Sequence, residues 1–224
     1  PIRSDCDRSQ EAPLISQSRI AIGANRLEGD LCLVDPPHGI VVFAHGSGSS
    51  RLSHRNIQVA RTLQRKGLGT LLFDLLTPEE ADDRSNVFDV PLLAQRVLDA
   101  LDALDALSQA HQPTGLFGAS TGAAAALVAA ARRPDGLQAI VSRGGRPDLA
   151  GDALDMVRVP TLLIVGSADT EVLALNRTAL GILRCEKRLE VVPCATHLFA
   201  EVGALETVTG LACAWFLEHL RTPI

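Results

Sequence analysis

Two kinds of hydrophobic pattern alternate along the chain. Ile40–Ala44, Leu68–Phe73, Leu137–Val141 and Thr161–Val165 are short continuous apolar runs, as strands buried on both faces require. Gly115–Phe117 closes a further strand, and Arg188–Val192 reads as the last one. Ser18–Ile22 and Leu31–Val34 predict an opening hairpin. Between these runs, apolar residues recur every three or four positions. The clearest case is Val90–Leu107, where Val90, Leu93, Val97, Leu101 and Leu104 share one face and Asp99, Asp102 and Asp105 occupy others. His54–Arg65 places Ile57, Ala60 and Leu63 together. Ala123–Ala131 is a strong helix former, and Thr170–Leu183 and Leu205–Leu220 complete the helical segments. Strands alternating with helices predict an α/β fold with a mostly parallel sheet covered on both faces. No repeat or linker divides the chain, so residues 1–224 read as one domain.

Composition narrows the function. With 46% apolar and 21% charged residues, the 224-residue chain can bury a core unaided by metals or disulfides. A formal net charge of −5 argues against nucleic acid or an anionic membrane as a general partner. No run of about 18 apolar residues predicts a membrane span. Pro1 to Leu14 lacks the apolar stretch of a signal peptide. The cysteines (Cys6, Cys32, Cys185, Cys194 and Cys213) are odd in number and form no C-x-x-C pair. A disulfide framework or zinc site is therefore not expected, and a reducing cytoplasm is.

In open parallel sheets, sites form beyond the carboxyl ends of the strands, and the chemically suggestive motifs all fall there. Gly118-Ala119-Ser120-Thr121-Gly122 matches G-x-S-x-G between an apolar strand and an Ala-rich helix. A serine on so tight a turn projects its hydroxyl clear of the sheet, above the positive end of the helix that follows. The alternative is a glycine-rich turn in which Ser120 only caps that helix.

A serine hydroxyl needs a base. His197 follows the last predicted strand, in the loop Pro193-Cys194-Ala195-Thr196-His197. The other histidines fit the role less well: His45 belongs to another motif, His54 starts a helix, His111 precedes a strand, and His38 and His219 read as exposed. Asp169 ends the segment after Thr161–Val165 and is the expected acid. It too could be merely a helix N-cap, and Glu171, inside the first turn, is its nearest competitor. Phe43–Ser50 joins a buried strand to a loop of small residues, where one backbone donor of an oxyanion hole belongs. Ser47 is the expected donor, with Gly48 as alternative, and Thr121 supplies the second. The phosphate-loop pattern G-x-x-x-x-G-K-S/T is absent.

On the segments HGSGSSRLSHRN (45–56), GASTGAAAAL (118–127), SRGGRPDLA (142–150), TLLIVGSAD (161–169) and ATHLF (195–199), the chain resembles the dienelactone hydrolase-like branch of the α/β-hydrolase superfamily. It looks most like the small intracellular hydrolases that also occur fused to phosphoribosyltransferase domains. The resemblance implies an eight-strand sheet of the α/β-hydrolase fold and supports Ser120, Asp169 and His197 as a triad. One departure matters: dienelactone hydrolases use a cysteine nucleophile, so Ser120 points to esterase-type chemistry instead.

The expected reaction is cleavage of a small ester, thioester or lactone through an acyl-enzyme, with no cofactor or metal. Too few residues separate Val141 from Pro160 for a large helical cap. Arg51, Arg143 and Arg146 follow strand ends and are candidates for binding an anionic substrate group. The bland alternative is pairing with local acids such as Asp148 and Asp152. A non-catalytic receptor or signalling protein on the same scaffold, or an acyltransferase using the same site, are the competing functions.

Overall fold

A computed structural model describes residues 14–109 and 112–220. The expectations for the N-terminal segment before Leu14, and for Cys6 and His111, lie outside those residues. Eight strands form one sheet: β1 (Leu14–Ile22), β2 (Leu27–Asp35), β3 (Gly39–Ala44), β4 (Leu68–Phe73), β5 (Thr114–Ala119), β6 (Leu137–Arg143), β7 (Thr161–Gly166) and β8 (Lys187–Val192). Their order is β1-β2-β4-β3-β5-β6-β7-β8. The β1–β2 hairpin joins antiparallel to β4, and every other pairing is parallel.

The helices are α1 (His54–Arg65), α2 (Pro78–Asp82), α3 (Arg84–Val87), α4 (Val90–Leu104), α5 (Thr121–Arg132), α6 (Thr170–Ile182) and α7 (Ala204–His219). Strand alternation sends side chains to two separate cores. Ile40, Val42, Leu116, Ile140 and Leu163 meet α4 and α5 on one face. Val41, Phe43, Phe117, Val141 and Ile164 meet α1 and α7 on the other. All five periodic residues of α4 are buried.

The expected elements are present, with β1 starting earlier, at Leu14, and β2 running from Leu27 at the hairpin turn to Asp35. The helix expected to reach Leu107 gives way to a π-helical turn, Asp105–Gln109. Two features are built of segments too short to show periodicity: the α2–α3 pair, and the 3₁₀ turns over Pro147–Met156, which are broken at Gly151. A signal for α2 was nevertheless present. Thr77 and Glu80 form a reciprocal capping box around Pro78. Arg96 of α4, itself buried, then holds Glu80 at 2.8 Å and anchors this short helix over the sheet end. His219 corrects an expectation. It is not exposed: its ring lies against Trp215, and Nδ1 sits 2.9 Å from the Trp215 carbonyl oxygen. Among the described residues no helix is long and apolar enough to cross a membrane.

Candidate active site

Ser120 stands between β5 and α5 with φ 51° and ψ −120°, a backbone conformation L-residues rarely adopt. The turn is tight because α5 closes onto the end of β3. A Cβ at Gly122 would lie 2.2 Å from the Ala44 carbonyl oxygen, so only glycine fits. Ser120 occupies the N-cap position of α5, yet its side chain makes no capping hydrogen bond. The capping alternative is thus not realised, and the hydroxyl is not engaged by the helix.

Asp169 repeats this geometry at the start of α6. It too is an N-cap by position and caps nothing. Its Oδ2 instead lies 2.7 Å from His197 Nδ1. Glu171 is in the first helical turn, as expected of it. In the neutral ring, with the carboxylate as acceptor, Nδ1 carries the proton and Nε2 is left with its lone pair.

The loops bearing these two residues are joined through their backbones. The Ala168 N–H donates to the Ala195 carbonyl at 3.0 Å, and Ser167 N–H to Val192 at 2.9 Å. Ser167 Oγ accepts from the Cys194 N–H at 2.7 Å. Gly166 makes the approach sterically feasible, since a Cβ there would fall 2.1 Å from the Ala195 oxygen. Sequence reasoning identified neither Ser167 nor Gly166 in this role.

Two contacts link the His197 loop and the Ser120 turn to the end of β6. The Ser120 N–H donates to the Arg143 carbonyl at 3.2 Å. Gly144, the next residue, faces His197, whose Cε1 would lie 3.6 Å from a Cβ at that glycine. The third wall is the loop after β3, where a Cβ at Gly46 would lie 3.0 Å from Ser120 Cβ. Thr121 occupies the first position of α5, so its N–H has no acceptor within the helix.

His45 holds that loop in place. Its Nε2 accepts from the buried Leu75 N–H at 3.0 Å, while Nδ1 donates to the Gly46 carbonyl at 3.0 Å. Acceptance at Nε2 requires the neutral ring. Burial lowers the His45 pKa, outweighing the Gly46 carbonyl and Asp74, which act the other way. Ser47 and Thr121 line a cavity of about 240 Å³, walled by Leu75, Leu76, Val87 and Leu93. Clefts of about 590 and 710 Å³ lie elsewhere and contain none of these residues.

The family described as alpha/beta hydrolase fold matches residues 39–200, a span holding every residue named above for this site. The chain belongs to that family. A dienelactone hydrolase from Anabaena variabilis shares this α/β-hydrolase architecture with a TM-score of 0.89 and 51% identity, over 94% of this chain and all of that one. Est1E from Butyrivibrio proteoclasticus matches at a TM-score of 0.74 and 17% identity, over 89% and 98% of the two chains, which shows the common fold. Two Mycobacterium tuberculosis proteins, provisionally named phosphoribosyl transferases, are 53% identical over 219 residues. That alignment covers 97% of this chain and 49% of each relative, so the chain spans about half their length.

Within this hydrolase fold the three candidate arginines separate. Arg51 meets Asp74 at 2.5 Å, Asp30 at 3.3 Å and Glu28. Its backbone N–H also donates to Asp74 at 2.8 Å. Arg146 is bidentate to Asp148 at 2.7 and 2.9 Å. Both arginines thus pair with local acids, the alternative to substrate binding. Arg143 makes no ion pair among the described residues.

Proposed function

We propose that this α/β-hydrolase chain is a serine hydrolase acting through Ser120, His197 and Asp169 on a small ester, thioester or lactone. The observation that carries the reading is the pair of helix-start residues that do not cap: a strained Ser120 and an Asp169 turned onto His197.

The steps follow from the chemistry of those groups. His197 Nε2 takes the Ser120 proton as Oγ forms a bond to the substrate carbonyl carbon, and the carbonyl π pair moves onto oxygen. Backbone N–H groups of Thr121 and Ser47 stabilise that oxyanion. Asp169 keeps the ring in the productive tautomer and stabilises its charged form. Collapse expels the leaving group, which takes the proton from His197. Water, deprotonated by the same nitrogen, then attacks the acyl-enzyme and regenerates Ser120. A cavity of about 240 Å³ at the two N–H donors suits an acyl or leaving group of only a few carbons. The four cysteines among the described residues are unbridged, which supports a reducing compartment such as the cytoplasm.

The test is labelling with a fluorophosphonate probe together with 4-nitrophenyl acetate hydrolysis. Both are expected of the wild type and lost in Ser120→Ala. A wild-type protein that neither labels nor turns over an ester and thioester panel would favour a binding role on the hydrolase scaffold. Wild-type turnover by Ser120→Ala would remove the serine from the mechanism.

A further inference from the structure

Arg143 is the last residue of β6 and is only 9% exposed, yet its Nη1 is buried with no hydrogen-bond partner among the described residues. Its carbonyl holds the Ser120 N–H, so its backbone is part of the nucleophile's support. By strand alternation its side chain follows Ala139 and Val141 onto the face covered by α1 and α7. There the nearby charge is another cation. Arg55, on the first turn of α1, repels the Arg143 guanidinium, and burial together with that repulsion brings Arg143 down to about 10. It remains protonated at neutral pH.

Arg55 is half-buried and, like Arg143, has no ion pair among the described residues. It lines a polar cavity of about 370 Å³ with Ser49, Ser50, Ser53 and His54, the direct continuation of the loop bearing Ser47. Ser50 and Ser53 each accept a backbone N–H through Oγ, which leaves their hydroxyl protons to donate. The start of the 12-residue α1 adds its positive end.

Burying one guanidinium without a counter-charge is costly, and a second beside it increases the cost. Two uncompensated positive charges are balanced best by a dianion, and guanidinium donors match the oxygens of a phosphate. We infer that Arg143 and Arg55 form a phosphate subsite beside Ser120, and that the substrate is an ester or thioester carrying a phosphate monoester group. The catalytic half of this statement rests on the hydrolase reading; the binding half does not.

The experiment therefore measures binding and turnover separately. Inorganic phosphate at pH 8, where it is dianionic, is titrated calorimetrically into Ser120→Ala protein, with acetate as the monoanionic control. Phosphate is expected to bind about ten-fold or more tightly than acetate. Adding Arg143→Gln or Arg55→Gln is expected to weaken phosphate binding about ten-fold or more, with partial recovery in Arg143→Lys. Arg55 lies on an outer helical turn, so its variant decides the matter if Arg143→Gln does not fold. In wild-type protein, phosphate is expected to raise KM for 4-nitrophenyl acetate and leave kcat unchanged. Phosphate binding that survives in both arginine variants, equal affinity for acetate, or binding that does not compete with the ester would each overturn the subsite. Failure of the wild type to cleave the ester would overturn the hydrolase reading, while the titration still decides the phosphate site.

Discussion

Asp169 Oδ2 lies 2.7 Å from His197 Nδ1 although 28 residues separate them in sequence. The pairing is prepared by the loops themselves: the Ser167 and Ala168 N–H groups donate to the Val192 and Ala195 carbonyls, and Ser167 Oγ accepts from the Cys194 N–H. The side chains then need little ordering to meet, which lowers the entropic cost of a reactive geometry.

Removing the charge on Asp169 should be far more damaging than removing the charge on Glu171. Asp169→Asn is expected to leave the fold intact and reduce kcat by roughly 10⁴-fold, the scale seen when a triad histidine is held in the wrong tautomer. Glu171→Gln should remain close to wild type. Ester kinetics with circular dichroism as a fold control measure this, and the reverse ranking would move the acid role to Glu171.

The approach of the two loops depends on Gly166. A Cβ there meets the Ala195 backbone at 2.1 Å, and backbone cannot yield as a side-chain tip can. Gly166→Ala is expected to cost roughly 1–3 kcal/mol of stability and to lower kcat more than it changes KM. Unchanged kcat in a folded variant would separate loop contact from His197 placement.

Ser120 stores backbone strain at φ 51°. Such a conformation costs a non-glycine residue about 1–3 kcal/mol, whereas glycine's extra chain entropy costs about 0.5–1 kcal/mol. Ser120→Gly should therefore be inactive but more stable to denaturant than Ser120→Ala. Equal midpoints for the two variants would mean that the turn is not strained.

His45 makes stability depend on pH. Its native pKa is lowered, so between the ordinary value of about 6.5 and that lower value the unfolded chain binds a proton that the native chain does not. Its contribution to stability is whole above about pH 6.5 and falls as pH drops through that window. His45→Ala is expected to cost about 1–3 kcal/mol at pH 7.5, because the buried Leu75 N–H loses its acceptor. The same change should reduce the difference in stability between pH 7.5 and pH 5.5. Denaturant melts of both proteins at both pH values measure it, and an unaltered pH dependence would exclude His45 as its source.

The sequence by itself determined the layers and the strand-end positions of the site. Apolar runs of five or six residues have one economical solution, a strand covered on both faces, and that pattern needs only near neighbours to be read. The order Ser120, Asp169, His197 was legible for the same reason, since each follows a recognisable strand. Short α2 and α3 were not legible by period, because helices of five and four residues cannot show one; only the Thr77–Glu80 capping box marked α2. Nor could local pattern separate the two uses of an N-cap position, which differ only in where the side chain turns. The tertiary structure alone decided the fate of the arginines. Arg146 has its partner two residues away, but Arg51 is neutralised by Glu28, Asp30 and Asp74, brought to it from β2 and the end of β4. Arg143 is distinguished by meeting no carboxylate among the described residues. Charge compensation depends on which chain segments cross at a given point, and only folding sets those crossings.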